Sequence, residues 1–289
     1  TLPLVHDLTS AGLDSNASLS VPLVQSIKDL NVRDSSLNAP LLKDIESLSL
    51  YQLEEQSFNA PKLATVEFLV LETAQSFPVL HTLGTLQTRA AADFPVLQQA
   101  TTITAYDPLT APKLRDAQSV ILYGQGHDLS DLRWVTTLWT QDCQAFGGLA
   151  RIDGWVTSSC DLDLRSLHTF AGPLQLNPVG TATRFTLPDP LPTALWLDGS
   201  NYGDLDQDSV EGALSVQVRA SAPAQDFAVR EVGGQLYLEL DKATGLGSLE
   251  QIETVGGDLS FCAPLIPDPE ISAWLTTLSV GGEIIDRCP

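Results

Sequence analysis

Four cysteines, four histidines, one cluster of aspartates and one glycosylation sequon are the side chains of this 289-residue chain whose spacing could support chemistry. Cys143, Cys160, Cys262 and Cys288 form no Cys-x-x-Cys arrangement. That argues against a metal knuckle and for two disulfides made in an oxidising compartment. Asp204-Leu205-Asp206-Gln207-Asp208 sets carboxylates at the first, third and fifth places of an EF-hand-like calcium loop. Ser209 stands where that loop needs glycine, and Ser215 where it needs a bidentate glutamate. The segment therefore reads either as a weak structural calcium site or as a solvated acidic loop, and no other cofactor is implied. His6, His81, His127 and His168 are scattered without a second histidine at ligand spacing, as surface or turn residues would be. Asn16-Ala17-Ser18 is the sequon. Neither a Gly-x-Ser-x-Gly elbow nor a glycine-rich phosphate loop is present.

Charge narrows the partners. Lys plus Arg is 15 against 36 for Asp plus Glu, a formal charge of -21. Nucleic acid rewards a basic face, so it is excluded as the expected partner, and an anionic membrane surface is disfavoured on the same ground. No run approaches the roughly 18 apolar residues of a membrane span. Methionine is absent and the chain opens Thr1-Leu2-Pro3. This reads as a mature chain after removal of a targeting segment, hence secreted, periplasmic or at the cell surface.

The element that must position these residues is a repeat. Proline recurs at Pro3, Pro22, Pro40, Pro61, Pro78, Pro95 and Pro112, with spacings of 19, 18, 21, 17, 17 and 17. Five residues after each proline lie Leu8, Ile27, Ile45, Val66, Leu83, Ala100 and Ala117. Eight residues after lie Ala11, Leu30, Leu48, Leu69, Leu86, Ile103 and Val120, and ten after, Leu13, Val32, Leu50, Leu71, Thr88, Ala105 and Leu122. The step of two between the last columns predicts one short strand per coil. Leu132, Val135, Leu138 and Thr140, then Leu149, Ile152, Trp155 and Thr157, continue the inward pattern without a proline. A coil buries too little to stand alone, so the units must stack.

Beyond residue 160 the pattern becomes Leu164-x-x-Leu167-x-x-Phe170 with Gly172-x-Leu174-x-Leu176. Residues 177–226 are rich in Pro, Asp and Gly and read as an irregular insertion. Three glycine-pair units follow, Val232-Gly233-Gly234-x-Leu236-x-Leu238, Val255-Gly256-Gly257-x-Leu259-x-Phe261 and Val280-Gly281-Gly282-x-Ile284. Their glycines suit a bend of positive φ before a strand. The expected organisation is proline-anchored coils over 1–176, the insertion over 177–226, and glycine-pair coils over 227–289, in one solenoid.

The runs Leu164 to Leu176 and Leu246-x-x-Leu249-x-x-Ile252-x-x-Val255-Gly256-Gly257-x-Leu259-x-Phe261 resemble the receptor L-domain family, a leucine-rich right-handed β-helix of receptor ectodomains and microbial surface proteins. The proline-anchored units are similar to irregular bacterial leucine-rich repeats. The likeness covers nearly the whole chain outside 177–226. It implies a mainly β, right-handed solenoid of 17–25-residue coils with little helix. It also implies an extracellular, non-catalytic scaffold that binds a protein or glycan, and it supplies no functional residues.

On that frame the residues seven, nine and eleven past each proline point outward. They include Phe68, Val70 and Glu72; Thr85, Gln87 and Arg89; and Thr102, Thr104 and Tyr106, with no carboxylate pair on neighbouring coils. Glycosidic cleavage typically needs such a pair, so a β-helix lyase or hydrolase is the rival reading and a non-enzyme the preferred one. Tyr106, Ile121, Tyr123 and Trp139 form the expected contact stripe, for a ligand or for self-association. Taking Ser130 and Gly147 as the proline equivalents puts Cys143 and Cys160 at one place on consecutive coils. Cys262 and Cys288 follow the strands of two glycine-pair coils. Rungs about 4.8 Å apart suit a vertical disulfide, so the expected bridges are Cys143–Cys160 and Cys262–Cys288.

Overall fold

The prolines act by making turns. From Pro22 to Pro112, the N–H two residues past the proline donates to the carbonyl of the residue just before it, as in Val24 to Val21 at 3.3 Å, Leu42 to Ala39 at 3.1 Å, Leu97 to Phe94 at 3.3 Å and Leu114 to Ala111 at 3.1 Å. Proline thus occupies the second place of a β-turn, where its fixed φ fits and no N–H is required. The turn delivers a buried aliphatic, Val24, Leu42, Leu97 or Leu114, to the start of the next strand. Leu132 donates to Leu129 in the same way at 3.0 Å, with Ser130 in the proline's place.

The computed structural model describes residues 6–14, 17–52, 58–143, 145–146, 148–178, 185–199, 205–206, 208–218 and 228–288. The chain is mainly β, about 48% strand and 6% helix, a parallel β-solenoid with coils about 18 residues apart. It divides into two compact units, 1–135 with 144–148, and 136–143 with 149–289.

In the first unit, strands Asp7–Leu13, Ser26–Arg33, Asp44–Tyr51, Thr65–Leu71, Thr82–Thr88, Gln99–Ala105 and Asp116–Leu122 pair in parallel, each with the next. Leu8, Ile27, Ile45, Val66, Leu83, Ala100 and Ala117 fall in one column. The strand offsets therefore equal the proline spacings. Short strands such as Ala92–Asp93 and Leu109–Thr110 make a second parallel face. Inside, Phe77 and Phe94 stack with ring centroids 5.3 Å apart.

Thr88 is a buried exception in an apolar column. Its hydroxyl donates to the Ala90 carbonyl at 2.5 Å and accepts the Ala90 N–H at 3.2 Å, closing the turn after the strand. Thr140 does the same for Asp142, at 2.9 Å each way, and Ser158 for Cys160, at 2.7 and 3.3 Å. Polar groups enter the core there because each is satisfied locally.

The second unit corrects the reading of one coil. Leu138 pairs with Val156, and Thr140 with Ser158. Val156 and Ser158 are the buried residues, whereas Trp155 is 37% exposed and Thr157 half-buried. The coil is one residue longer at Gly154, and a one-residue slip exchanges the two faces of a strand. A Cβ on Gly154 would lie 2.7 Å from the Thr136 carbonyl oxygen, so only glycine fits.

Within residues 177–226, expected to be irregular, the described segments contribute strands to the same ladder. Leu174–Pro178 pairs with Leu195–Gly199, which pairs with Leu214–Val218, which pairs with Leu236–Glu239. Phe185, Leu187, Leu191, Leu195, Leu197, Val210, Leu214 and Val216 are buried. Leu259–Cys262 and Ile284–Asp286 complete the ladder. The helix Asp268–Thr277 interrupts the longest coil and buries Trp274.

The glycine pairs serve close approach rather than a left-handed bend. None of Gly233, Gly234, Gly256, Gly257, Gly281 and Gly282 has a positive φ. A Cβ on Gly256 would meet the Gly233 carbonyl oxygen at 2.2 Å, and one on Gly281 would meet that of Gly256 at 2.4 Å.

Candidate functional site

Because every coil repeats one strand, each outward position becomes a column of side chains one rung apart, about 4.8 Å. In the first unit the column at the strand ends is filled by stacking. Arg33 lies 5.3 Å over the Tyr51 ring and Arg89 lies 5.9 Å over Tyr106, while Tyr106 and Tyr123 stack at 4.5 Å. Arg89 also approaches Glu72 at 3.9 Å, with both side chains well exposed. Such contacts are individually weak. Together they fix the orientation of side chains on an otherwise open face.

Of the expected stripe, the structure brings together Tyr106, Ile121 and Tyr123. Tyr106 is 40% exposed, and Ile121 is half-buried beside Thr104. Trp139 belongs to the second unit, half-buried in register with Thr157. Behind Tyr123, His127 is buried: its Nδ1 accepts the Leu109 N–H at 3.2 Å and its Nε2 faces the Tyr123 carbonyl at 2.8 Å. It is a turn tie rather than a surface group. Gly124 and Gly126, at φ 76° and 87°, permit that turn.

The second unit carries a column that sequence reading missed. Register sets Trp155, Gln175, Trp196, Ser215 and Tyr237 side by side on successive rungs. Trp155 and Trp196 are 37% and 47% exposed, and neither has a ring partner among the described residues. Arg287 lies 5.7 Å over Tyr237. Two residues further along each strand, Thr157, Asn177, Gln217 and Glu239 form a polar flank. Asn177 Nδ2 donates to Thr157 Oγ1 at 3.4 Å, and Gln217 Nε2 donates to Glu239 Oε2. The available signal was the step Leu195-x-Leu197 and Leu214-x-Val216, which puts Trp196 and Ser215 outward.

Both expected cysteine pairs are at bridging distance, with Cα separations of 6.0 Å for Cys143–Cys160 and 4.7 Å for Cys262–Cys288. With Thr140 opposite Ser158, Cys143 sits three residues past the paired position and Cys160 two. The bridge thus spans a one-residue offset. Asp204 and Asn16 lie outside the described residues, as does the side chain of Asp206. Asp208 faces Arg230 at 3.7 Å. Among the described residues no three His, Cys, Asp or Glu side chains are grouped to hold a metal ion. No helix there is long and apolar enough to cross a membrane.

The Arg165 guanidinium donates to both Asp163 oxygens, at 2.5 to 3.2 Å, and holds that carboxyl below the usual carboxylate range. No known protein family matches the chain, and no curated protein or solved structure matches it at a significant level.

Proposed function

We propose that the chain is a non-catalytic scaffold, secreted or at the cell surface, whose sheet face binds a protein or glycan partner or a second copy of itself. The observation that carries this reading is where the exposed aromatics lie. Phe68, Tyr106, Trp155 and Trp196, at 49%, 40%, 37% and 47% exposure, all stand on or at the end of outward strand positions. Exposed aromatics at outward strand positions, two in each unit, are the usual anchors of a contact surface. Two disulfides support an oxidising compartment, and the acidic surface favours a partner that is not a polyanion.

The test combines a glycan array, a pull-down and light scattering on the same purified chain. Capture of a glycan or protein, or a concentration-dependent rise in mass, supports the scaffold. Turnover of any polysaccharide in a panel refutes it in favour of a carbohydrate-active enzyme.

A further inference from the structure

We infer that the column Trp155, Gln175, Trp196, Ser215 and Tyr237 is a binding platform for a neutral, extended β-1,4-linked glycan lying along the stack of coils. The inference rests on the reading of the sheet face as a binding face and names its ligand class. Three features of the column select that ligand.

The first is spacing. The aromatic residues occupy alternate rungs, with Gln175 between Trp155 and Trp196 and Ser215 between Trp196 and Tyr237. Two rungs span about 9 to 10 Å, close to the disaccharide repeat of an extended β-1,4-linked chain. Successive sugars in such a chain are flipped, so equivalent faces recur at every second sugar. A ring at every second rung then meets the same apolar C–H face each time.

The second is availability. Trp155 and Trp196 are 37% and 47% exposed and stack on no other ring among the described residues. Tyr106 in the first unit has one face taken by Tyr123 and the other by Arg89. The tyrosine column there is closed by its own stacking, whereas Trp155 and Trp196 are open and Tyr237, with Arg287 5.7 Å over its ring, has no second ring on it among the described residues.

The third is the surrounding chemistry. Gln175 and Ser215 lie between the rings, and Thr157, Asn177 and Gln217 flank them, so the rings alternate with and run beside neutral polar side chains that can hydrogen-bond hydroxyls. The formal charge of -21 opposes uronic-acid polymers. An apolar protein segment would not need polar side chains alternating with rings at this period.

Calorimetric titration of the full chain with cellobiose, cellotriose, cellopentaose, cellohexaose and chitohexaose tests the inference, with maltohexaose and a hexagalacturonate as controls. Affinity is expected to rise at the trimer, which spans two rings, and again at the pentamer, which spans three. Maltohexaose and hexagalacturonate are expected not to bind. Trp155→Ala and Trp196→Ala should each weaken cellohexaose at least tenfold, while Trp196→Phe retains part of the affinity. Circular dichroism and melting temperature should be unchanged because both rings are on the surface.

Absence of binding to both cello- and chito-oligosaccharides overturns the inference. So does binding that ignores chain length, or that survives the Trp155→Ala, Trp196→Ala double variant. In any of these cases, protein capture or self-association in the same preparations leaves the broader scaffold reading standing. Absence of those too removes both.

Discussion

The rings of Tyr106 and Tyr123 lie parallel to within 2°, with centroids 4.5 Å apart on adjacent coils. Each covers a face of the other, so the pair stabilises the stack as well as shaping the surface. A double-mutant cycle with Tyr106→Leu and Tyr123→Leu should give a coupling energy of about 0.5 to 1.5 kcal/mol in denaturant unfolding. Additive losses would mean that the rings merely coexist.

The two disulfides should be separable by peptide mapping under non-reducing conditions, as Cys143–Cys160 and Cys262–Cys288. They close loops with sequence separations of 17 and 26 residues. Replacing either pair by serine should lower stability by about 3 kcal/mol on the chain-entropy account. Recovery of any crossed pair, or of free thiols, contradicts the coil order.

Glycine should be indispensable where one coil presses on the next and dispensable elsewhere. Gly256→Ala would drive a Cβ to 2.2 Å from the Gly233 carbonyl oxygen, whereas Gly172 has nothing within 4 Å of its added Cβ. The first change is expected to cost about 1 to 3 kcal/mol, and the second to stay within about 0.5 kcal/mol. Equal effects in thermal unfolding would refute the close-approach account.

The buried hydroxyl of Thr140 should matter through its hydrogen bonds rather than its volume. Thr140→Val keeps the shape but leaves the buried Asp142 N–H without its 2.9 Å acceptor. A loss of about 1 to 3 kcal/mol is expected. Thr102→Val, at a half-exposed outward site, should change stability by less than about 0.5 kcal/mol.

Asp163 should titrate below an ordinary aspartate because Arg165 binds its charged form. A group whose folded pKa is depressed adds stability above its unfolded pKa and loses it as pH falls through the folded value. The pair is exposed, with side chains 69% and 55% accessible, so its share of acid lability is small. In an NMR titration Arg165→Ala should raise the Asp163 midpoint, leaving the smaller lowering that comes from the Arg165 backbone N–H at 3.1 Å. An unmoved midpoint would exclude the guanidinium as the cause.

The sequence by itself determined the coil. Prolines at Pro22, Pro40, Pro61, Pro78, Pro95 and Pro112 fix a turn whose period is the rung offset, and three apolar columns fix which side faces in. Both signals are local, since a turn and a two-residue alternation are set by neighbours in the chain. The cysteine pairing followed, because a bridge tolerates a range of Cα separations wider than the one-residue error in the register.

Tertiary structure alone decided what lay beyond that local signal. Trp155 read as core until the extra residue at Gly154 turned it outward, and nothing in the spacing marks an insertion that only a neighbouring carbonyl at Thr136 explains. The glycine pairs likewise depend on contacts between coils and not on their own φ. Trp155, Gln175, Trp196, Ser215 and Tyr237 span 83 positions from first to last and become neighbours only when stacked. A column is a property of register between coils, and register accumulates every insertion along the way. A local pattern can therefore specify each rung without specifying which side chains stand beside one another.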